Sequence, residues 1–127
     1  MEHVKQNTGL AVEVGMASEF VLGLHGGLEY DGKRLAGMYP HEQVKVVEKA
    51  GADIFGPVIN TKPTRSTPWN LARSVTFCKA CSEAADIPVH PNVGMGVGGV
   101  PMFETPPPDI VSRVSKSLVE IGKADGL

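Results

Sequence analysis

Hydrophobic residues along this chain alternate between short apolar runs and longer stretches in which they recur at helical spacing. The short runs predict three strands, over residues 8–16, 52–60 and 86–92. The second run has few polar positions, which is typical of a parallel strand that is buried on both faces. The last residues, 124–127, look like the start of a fourth strand.

The longer stretches predict three helices, over residues 40–50, 67 to about 85, and 109–123. Pro40 suits a first helical turn, and Gly51 suits the position after a helix because glycine tolerates a left-handed backbone. Thr67 is the expected N-cap of the second helix. Before the first helix, the sequence predicts a short helix or turn over residues 17–27 and a loop over 28–39 with a turn at 30–33.

Strands and helices therefore alternate, which predicts βαβ units with right-handed crossovers and a parallel sheet. At 127 residues the chain is expected to be one domain at most. The pattern resembles half of a (β/α)₈ barrel, a fold whose usual size is about 250 residues. The expected fold class is α/β, a partial TIM barrel that includes about half of the parallel strands.

Residues 92–108 form a glycine- and proline-rich segment that excludes a helix interior and a regular strand. Because the segment carries apolar residues that a solvated linker would expose, we expect it to form a pocket wall. Its Gly94-x-Gly96-x-x-Gly99 spacing matches a dinucleotide fingerprint, but Pro101 delays the helix that would bind the pyrophosphate. A phosphate site built from the N–H groups of the loop stays open as an alternative.

Composition and charge exclude several partner classes. A hydrophobic content of 42% with 20% charged residues is typical of a soluble globular protein. A net charge of −2 without a basic cluster does not favour binding to nucleic acid or to an acidic membrane surface. The N-terminus lacks the apolar run of a signal peptide, and no stretch approaches the roughly 18 apolar residues of a membrane span. These features predict a cytoplasmic protein.

Cys78 and Cys81 form a Cys-x-x-Cys pair inside a predicted helix. A zinc site would need two further ligands at suitable spacing, and a thioredoxin-type motif would open a helix directly after a strand. We therefore expect two reduced, buried cysteines and no metal site.

Motifs over nearly the whole chain resemble one family. The most specific is Gly94-Met-Gly-Val-Gly-Gly99 followed by Glu104-Thr-Pro-Pro107. Further matching segments are Ala11-Val-Glu-Val-Gly-Met-Ala17, Leu22-Gly-Leu-His-Gly26, Tyr30-Asp-Gly32, Leu35-Ala-Gly37, Lys49-Ala-Gly-Ala52, Phe55-Gly-Pro-Val58, Trp69-Asn-Leu-Ala-Arg73 and Val119-Glu-Ile121. Together they resemble the dimethylamine:corrinoid methyltransferases of methylotrophic methanogens. The sequence departs from that family at residues 61–66 and at the two cysteines.

The resemblance implies a TIM barrel that moves a methyl group from dimethylamine to the Co(I) of a corrinoid protein. It implies a catalytic pyrrolysine, encoded by an in-frame amber codon, directly after a segment like residues 124–127. We therefore expect this chain to be cut short at that codon and shortened at its N-terminal end as well. The corrinoid would be carried by the partner protein, so no cofactor is expected to bind this chain directly.

The resemblance, combined with positions near the carboxyl ends of the predicted strands, gives candidate site residues. Glu13 is the expected carboxylate partner and His90 the expected hydrogen-bond donor or proton shuttle. A solvated or paired surface role for Glu13 stays open. The expected substrate-binding residues are Asn60, Met95, Met102 and Glu104, although the loop that carries Glu104 could equally serve the corrinoid-protein interface.

Two alternatives come from other function classes. One is a non-catalytic fragment that binds a corrinoid protein, and the other is a fragment of a TIM-barrel enzyme that binds a phosphorylated substrate on the glycine loop. The isolated half-barrel is expected to be inactive and prone to associate, because it exposes strand edges. The sequence leaves a homo-oligomer and the preferred methylamine open.

Overall fold

The computed structural model describes residues 1–17, 27, 29–35, 37–59, 64–93 and 107–127. In these ranges the elements, in chain order, are helix α1 (Glu2–Thr8), strands β1 (Glu13–Ala17), β2 (Glu29–Tyr30) and β3 (Lys33–Arg34), helix α2 (Pro40–Lys49), strand β4 (Ile54–Val58), and helices α3 (Thr67–Ala84) and α4 (Pro108–Glu120). The described part of the chain is a mixed α/β structure without a closed barrel.

A parallel sheet organises the molecule. Strands β1 and β4 pair in parallel, from Glu13 opposite Ile54 to Ala17 opposite Val58. The predicted third strand joins the other side of β4 through isolated parallel bridges, one of which pairs Phe55 with Val89. This segment does not form a regular strand because Pro88 and Pro91 have no N–H group to donate to the sheet.

The predicted fourth strand is not a regular strand, and Asp125 joins it to the sheet. The Asp125 N–H donates to the carbonyl of Val89 at 2.9 Å. The return bond comes from a side chain, since the Asp125 carboxylate accepts the Val89 N–H at 2.8 Å. The order of neighbouring segments across the sheet is therefore β1, β4, residues 88–92, and Asp125.

Helices α2 and α3 cover one face of this sheet and create its main core. The core cluster contains Val44, Val47, Ala52, Phe55, Cys81 and Val89. A second cluster lies between α3 and α4 and contains Ile59, Cys78, Val114, Leu118 and Ala124. Phe55 and Leu118 are fully buried, so each contributes roughly 1.5–3 kcal/mol by removing apolar surface from water.

Both cysteines belong to these clusters, as the sequence predicted. Cys78 and Cys81 are free and buried. Burial raises the pKa of both thiols, that of Cys81 to about 12, which disfavours the nucleophilic thiolate. They are therefore packing residues.

Helix boundaries follow local signals with two corrections. Helix α2 begins at Pro40, and Gly51 follows its end with a φ of 88°. Helix α3 is capped by the side chain of Ser66, which accepts the Trp69 N–H, so the prediction of Thr67 as the cap was wrong. Helix α4 ends at Glu120, before the predicted end at residue 123. Lys123 itself has a φ of 58°, which is not a helical value.

The N-terminal region corrects the prediction of a strand starting at residue 8. Residues Glu2–Thr8 form α1, which ends at Gly9 with a φ of 67°. The Lys5 ammonium bonds to the Asp53 carboxylate at 2.7 Å and to the carbonyl of Gly51 at 2.6 Å. Asp53 also accepts the Val12 N–H at 2.8 Å. These contacts attach α1 to the turn before β4.

The predicted turn at residues 30–33 is confirmed, within a small hairpin rather than a plain loop. Strands β2 and β3 pair in antiparallel fashion through Tyr30 and Lys33. The two residues between them, Asp31 and Gly32, have φ values of 52° and 71°. Positive φ at both central positions is typical of a type I′ hairpin turn, for which Asp-Gly is a favoured sequence.

Candidate active site

The candidate site lies on the open face of the sheet, defined here as the face turned away from α2 and α3. Side chains alternate between the two faces of a strand. Val14 packs against the main core, so its neighbour Glu13 points to the open face, as does His90 next to the buried Val89. Glu13 is the first residue of β1, and the prediction that it lies near the carboxyl end of its strand was wrong.

Glu13 and His90 contact each other on this face, although 77 residues separate them. The Nδ1 atom of His90 lies 3.2 Å from Oε2 of Glu13, and each side chain is 41% exposed. The hydrogen bond to Glu13 raises the pKa of His90, and the negative charge of that carboxylate acts in the same direction, while partial burial opposes both. The Glu13–His90 pair therefore favours an imidazolium ring.

The C-terminal residues of the chain return to the same place. A hydrogen bond with the backbone of Leu127 also raises the pKa of His90. A Cβ atom on Gly126 would lie 3.7 Å from Cδ2 of His90, within ordinary contact distance. The two hydrogen bonds between Asp125 and Val89 hold this segment against the residue that precedes His90. The imidazole ring thus lies between the Glu13 carboxylate and residues 126–127.

This arrangement can hold and move a proton. A carboxylate that raises the pKa of an imidazole favours the protonated ring, and this ring is partly exposed on the face turned away from α2 and α3. The partners of the ring that can be named are the Glu13 carboxylate and the backbone of Leu127. A carboxylate next to an imidazole is an arrangement suited to acid–base chemistry.

Comparison with known protein families gives the chain its family. A family model described as dimethylamine methyltransferase (Dimeth_PyL) matches residues 1–127, the whole of the sequence. The chain belongs to the dimethylamine methyltransferase family. No solved structure matches it. The family match confirms the resemblance drawn from the glycine-rich and Glu-Thr-Pro-Pro motifs.

The predicted substrate-binding residues of this family member lie outside the described part of the chain. They are Asn60, Met95, Met102 and Glu104. Residues 94–106 of the glycine- and proline-rich segment also lie outside the described ranges, so its role as a pocket wall and the alternative of a phosphate site there stay predictions. The geometry that can be described is that of the Glu13–His90 pair and its surroundings.

Sequence reasoning missed two features of these surroundings. The first is Gly56, which lies in the middle of β4 directly between the strands that carry Glu13 and His90. A glycine interrupting an apolar strand often marks a close approach, and this was the available signal. The second is Asp125, whose carboxylate bonds to a backbone N–H, a role that its position near the end of the sequence does not reveal.

Among the described residues, no group of three or more histidine, cysteine, aspartate or glutamate side chains is arranged to hold a metal ion. Within the same ranges, none of the helices combines the length and the apolar character that crossing a membrane requires.

Proposed function

We propose that this dimethylamine methyltransferase transfers a methyl group from dimethylamine to the Co(I) of a corrinoid carried by a partner protein, leaving methylamine. Family membership supports the amine substrate and the methyl transfer. The corrinoid acceptor follows from the sequence resemblance. The structural observation that carries the proposal is the Glu13–His90 pair, which faces the segment after which the resemblance puts the catalytic pyrrolysine.

The reaction needs an electron-poor substrate nitrogen. An amine leaves poorly unless its nitrogen is electron-poor, so the C–N bond breaks readily only when that nitrogen carries a proton or a comparable substituent. In the balanced step, protonated dimethylamine gives its methyl group to Co(I), which supplies the electron pair of the new bond. Methylamine departs with the electron pair of the broken C–N bond. The proton stays on the nitrogen of methylamine. The positive charge of the dimethylammonium ion is transferred with the methyl group to the cobalt centre.

In this proposal, His90 supplies or holds that proton and Glu13 keeps the ring charged. Nδ1 of His90 and Oε2 of Glu13 lie 3.2 Å apart, and the hydrogen bond raises the pKa of His90, which favours the charged form of the ring. The ring is also close to the backbone of Leu127. By resemblance, a catalytic pyrrolysine located after a segment like residues 124–127 would supply an electrophilic imine to which the amine adds. A proton donor at His90 would then be adjacent to the substrate nitrogen.

We also propose that the parallel sheet is part of a (β/α)₈ barrel. The parallel segments β1, β4, residues 88–92 and Asp125 lie side by side in the order in which they occur along the chain. Helices cover one face, and the Glu13–His90 pair lies on the other, which would face the interior of a closed barrel.

A cytoplasmic location fits two buried, free cysteines, since disulfides are rare in that compartment.

The test is a methyl-transfer assay with the protein produced from its gene in a host that reads amber codons as pyrrolysine. The purified protein would be mixed with its corrinoid protein reduced to Co(I), and methylation of cobalt would be followed by visible absorption. We expect methylation that depends on dimethylamine and is much slower with trimethylamine or methylamine. An active preparation that methylates the corrinoid from none of the three amines would refute the proposal.

A further inference from the structure

Gly56 is a glycine whose backbone does not require one. Glycine inside a strand is less favourable than alanine by roughly 0.5–1 kcal/mol, because it loses more freedom on folding. The usual justification is a left-handed backbone, and the described glycines with positive φ are Gly9, Gly32, Gly37 and Gly51. Gly56 is not among them, since it lies in the regular parallel pairing of β4. Another reason must explain the missing side chain.

The reason is that a side chain at position 56 would collide with the Glu13 carboxylate, which lies over β4 on the open face of the sheet. A Cβ atom on Gly56 would lie 2.7 Å from Oε1 of Glu13, a distance that carbon and oxygen atoms do not reach without one of them moving. The same Cβ would lie 3.4 Å from the carbonyl oxygen of His90 and 3.5 Å from Cα of Gly15. The carboxylate is therefore the atom group that occupies the position of the absent side chain.

Strand order explains why the carboxylate lies there. Glu13 is on β1 and His90 is on the segment beyond β4, so the two residues belong to strands that are not neighbours. Adjacent strands are about 4.7–4.9 Å apart, so the contact spans roughly 9–10 Å of sheet. The Glu13 side chain must cross β4 at the level of Gly56 to reach the imidazole ring.

We propose that Gly56 is a positioning residue for the Glu13–His90 pair: its bare backbone is the surface over which the Glu13 carboxylate reaches the ring of His90. The inference rests on the proposed function for its catalytic meaning, but its geometry can be tested without the reaction. The matched control is Gly15, which pairs with Gly56 in the register of β1 and β4. A Cβ on Gly15 would meet its nearest atoms at 3.8 and 3.9 Å, which is ordinary contact.

The first test measures protonation of His90 in Gly56→Ala and Gly15→Ala variants of the full-length protein. Histidine labelled with ¹³C at Cε1 reports the titration of the ring, and a His90→Gln variant assigns its signal. We expect the pKa of His90 to fall toward the ordinary histidine value in Gly56→Ala and to stay raised in Gly15→Ala. In a Glu13→Gln background, Gly56→Ala should change the titration of His90 no further. An unchanged titration in Gly56→Ala overturns the inference.

The second test uses stability, so that a poorly folding variant still gives an answer. Because the clash is with the end of a flexible side chain, we expect Glu13→Ala to relieve most of the destabilisation caused by Gly56→Ala, as measured by urea unfolding. Equal destabilisation in both backgrounds would mean that the methyl group clashes with backbone instead, and the inference would be wrong.

The third test concerns turnover and separates the inference from the proposed function. In the methyl-transfer assay, we expect Gly56→Ala to lower kcat by about 10- to 100-fold, as misplacement of an acid–base group does, with a smaller change in KM. Gly15→Ala should retain normal kcat. A lowered His90 pKa in Gly56→Ala with no methyl transfer by the wild-type enzyme would leave the positioning role intact and refute the proposed function alone. A normal kcat in Gly56→Ala would refute the role of Gly56 in the reaction.

Discussion

Replacing Glu13 with glutamine should change how the stability of the protein depends on pH. The substitution keeps the size of the side chain and removes its charge, so His90 loses the carboxylate that raises its pKa. A group whose pKa is raised on folding stabilises the native state fully below its unfolded pKa, which is about 6.5 for histidine. That stabilisation disappears as the pH rises through the folded pKa. The wild-type protein should therefore lose more stability than Glu13→Gln between about pH 6 and pH 9.

The magnitude follows from the distance and the exposure of the pair. At the observed 3.2 Å, two unit charges attract by about 1.3 kcal/mol in bulk water and by about 5 kcal/mol at an effective dielectric constant near 20. Both side chains are 41% exposed, so solvent screening places the pair near the lower figure. Ordering the two side chains reduces it further, and exposed pairs typically contribute about 0.2–1 kcal/mol.

Urea unfolding of wild type and Glu13→Gln at about pH 6 and at about pH 9 measures the contribution of the Glu13–His90 pair to stability. The quantity of interest is the wild-type free energy of unfolding minus that of Glu13→Gln, compared between the two pH values. Ionisations that the mutation does not affect, such as those of the other histidines, cancel in this comparison. We expect the difference to shrink by about 0.2–1 kcal/mol at the higher pH. A difference that stays constant or grows with pH would refute the electrostatic reading of the pair.

Two further predictions concern structural groups. Hydrogen bonds from Lys5 and the Val12 N–H lower the pKa of Asp53, so its stabilisation is present above the unfolded pKa and is lost as the pH falls through the folded one. Asp53→Asn should therefore lower Tm near neutral pH, with a difference from wild type that narrows in acid; a difference independent of pH would contradict this. Because burial raises the pKa of the thiols of Cys78 and Cys81, Ellman's reagent should react slowly with the folded protein and rapidly in denaturant. Fast reaction of either cysteine in the native protein would contradict their role as packing residues.

The elements that the sequence predicted well are those with strong local signals. Helix α2 begins at Pro40 and is followed by Gly51, and both residues act through their own backbone preferences. The hairpin turn at Asp31 and Gly32 has the same kind of cause. In these places the chain adopts a conformation that its nearest neighbours already favour, so no tertiary information is needed.

The elements that were predicted wrongly depend on distant contacts. Helix α1 has no buried residues, and its attachment runs through Lys5 to Gly51 and Asp53, more than 40 residues away. The strand that contains Glu13 begins later than its apolar pattern suggested, because α1 and the turn at Gly9 take the preceding residues. An apolar run can be recognised in a sequence, but the residue at which pairing starts is set by the partner strand.

The candidate site divides in the same way. Glu13 and His90 could be named from the sequence, as a carboxylate and an imidazole near predicted strands, yet their contact across β4 could not. That contact depends on the register of three segments and on the absence of a side chain at Gly56. Reactive residue types can be read from a sequence, whereas the distance between them is a property of the packed sheet.

The central claim is that the Glu13–His90 pair provides the proton for demethylation of dimethylamine. The most direct measurement is the rate of corrinoid methylation by His90→Gln, compared with wild type and with His41→Gln, an exposed histidine at the start of α2. General acid–base catalysis contributes about 10²–10⁴-fold, so His90→Gln should be slower by at least about 100-fold while His41→Gln retains the wild-type rate. Equal rates for wild type and His90→Gln would contradict the account.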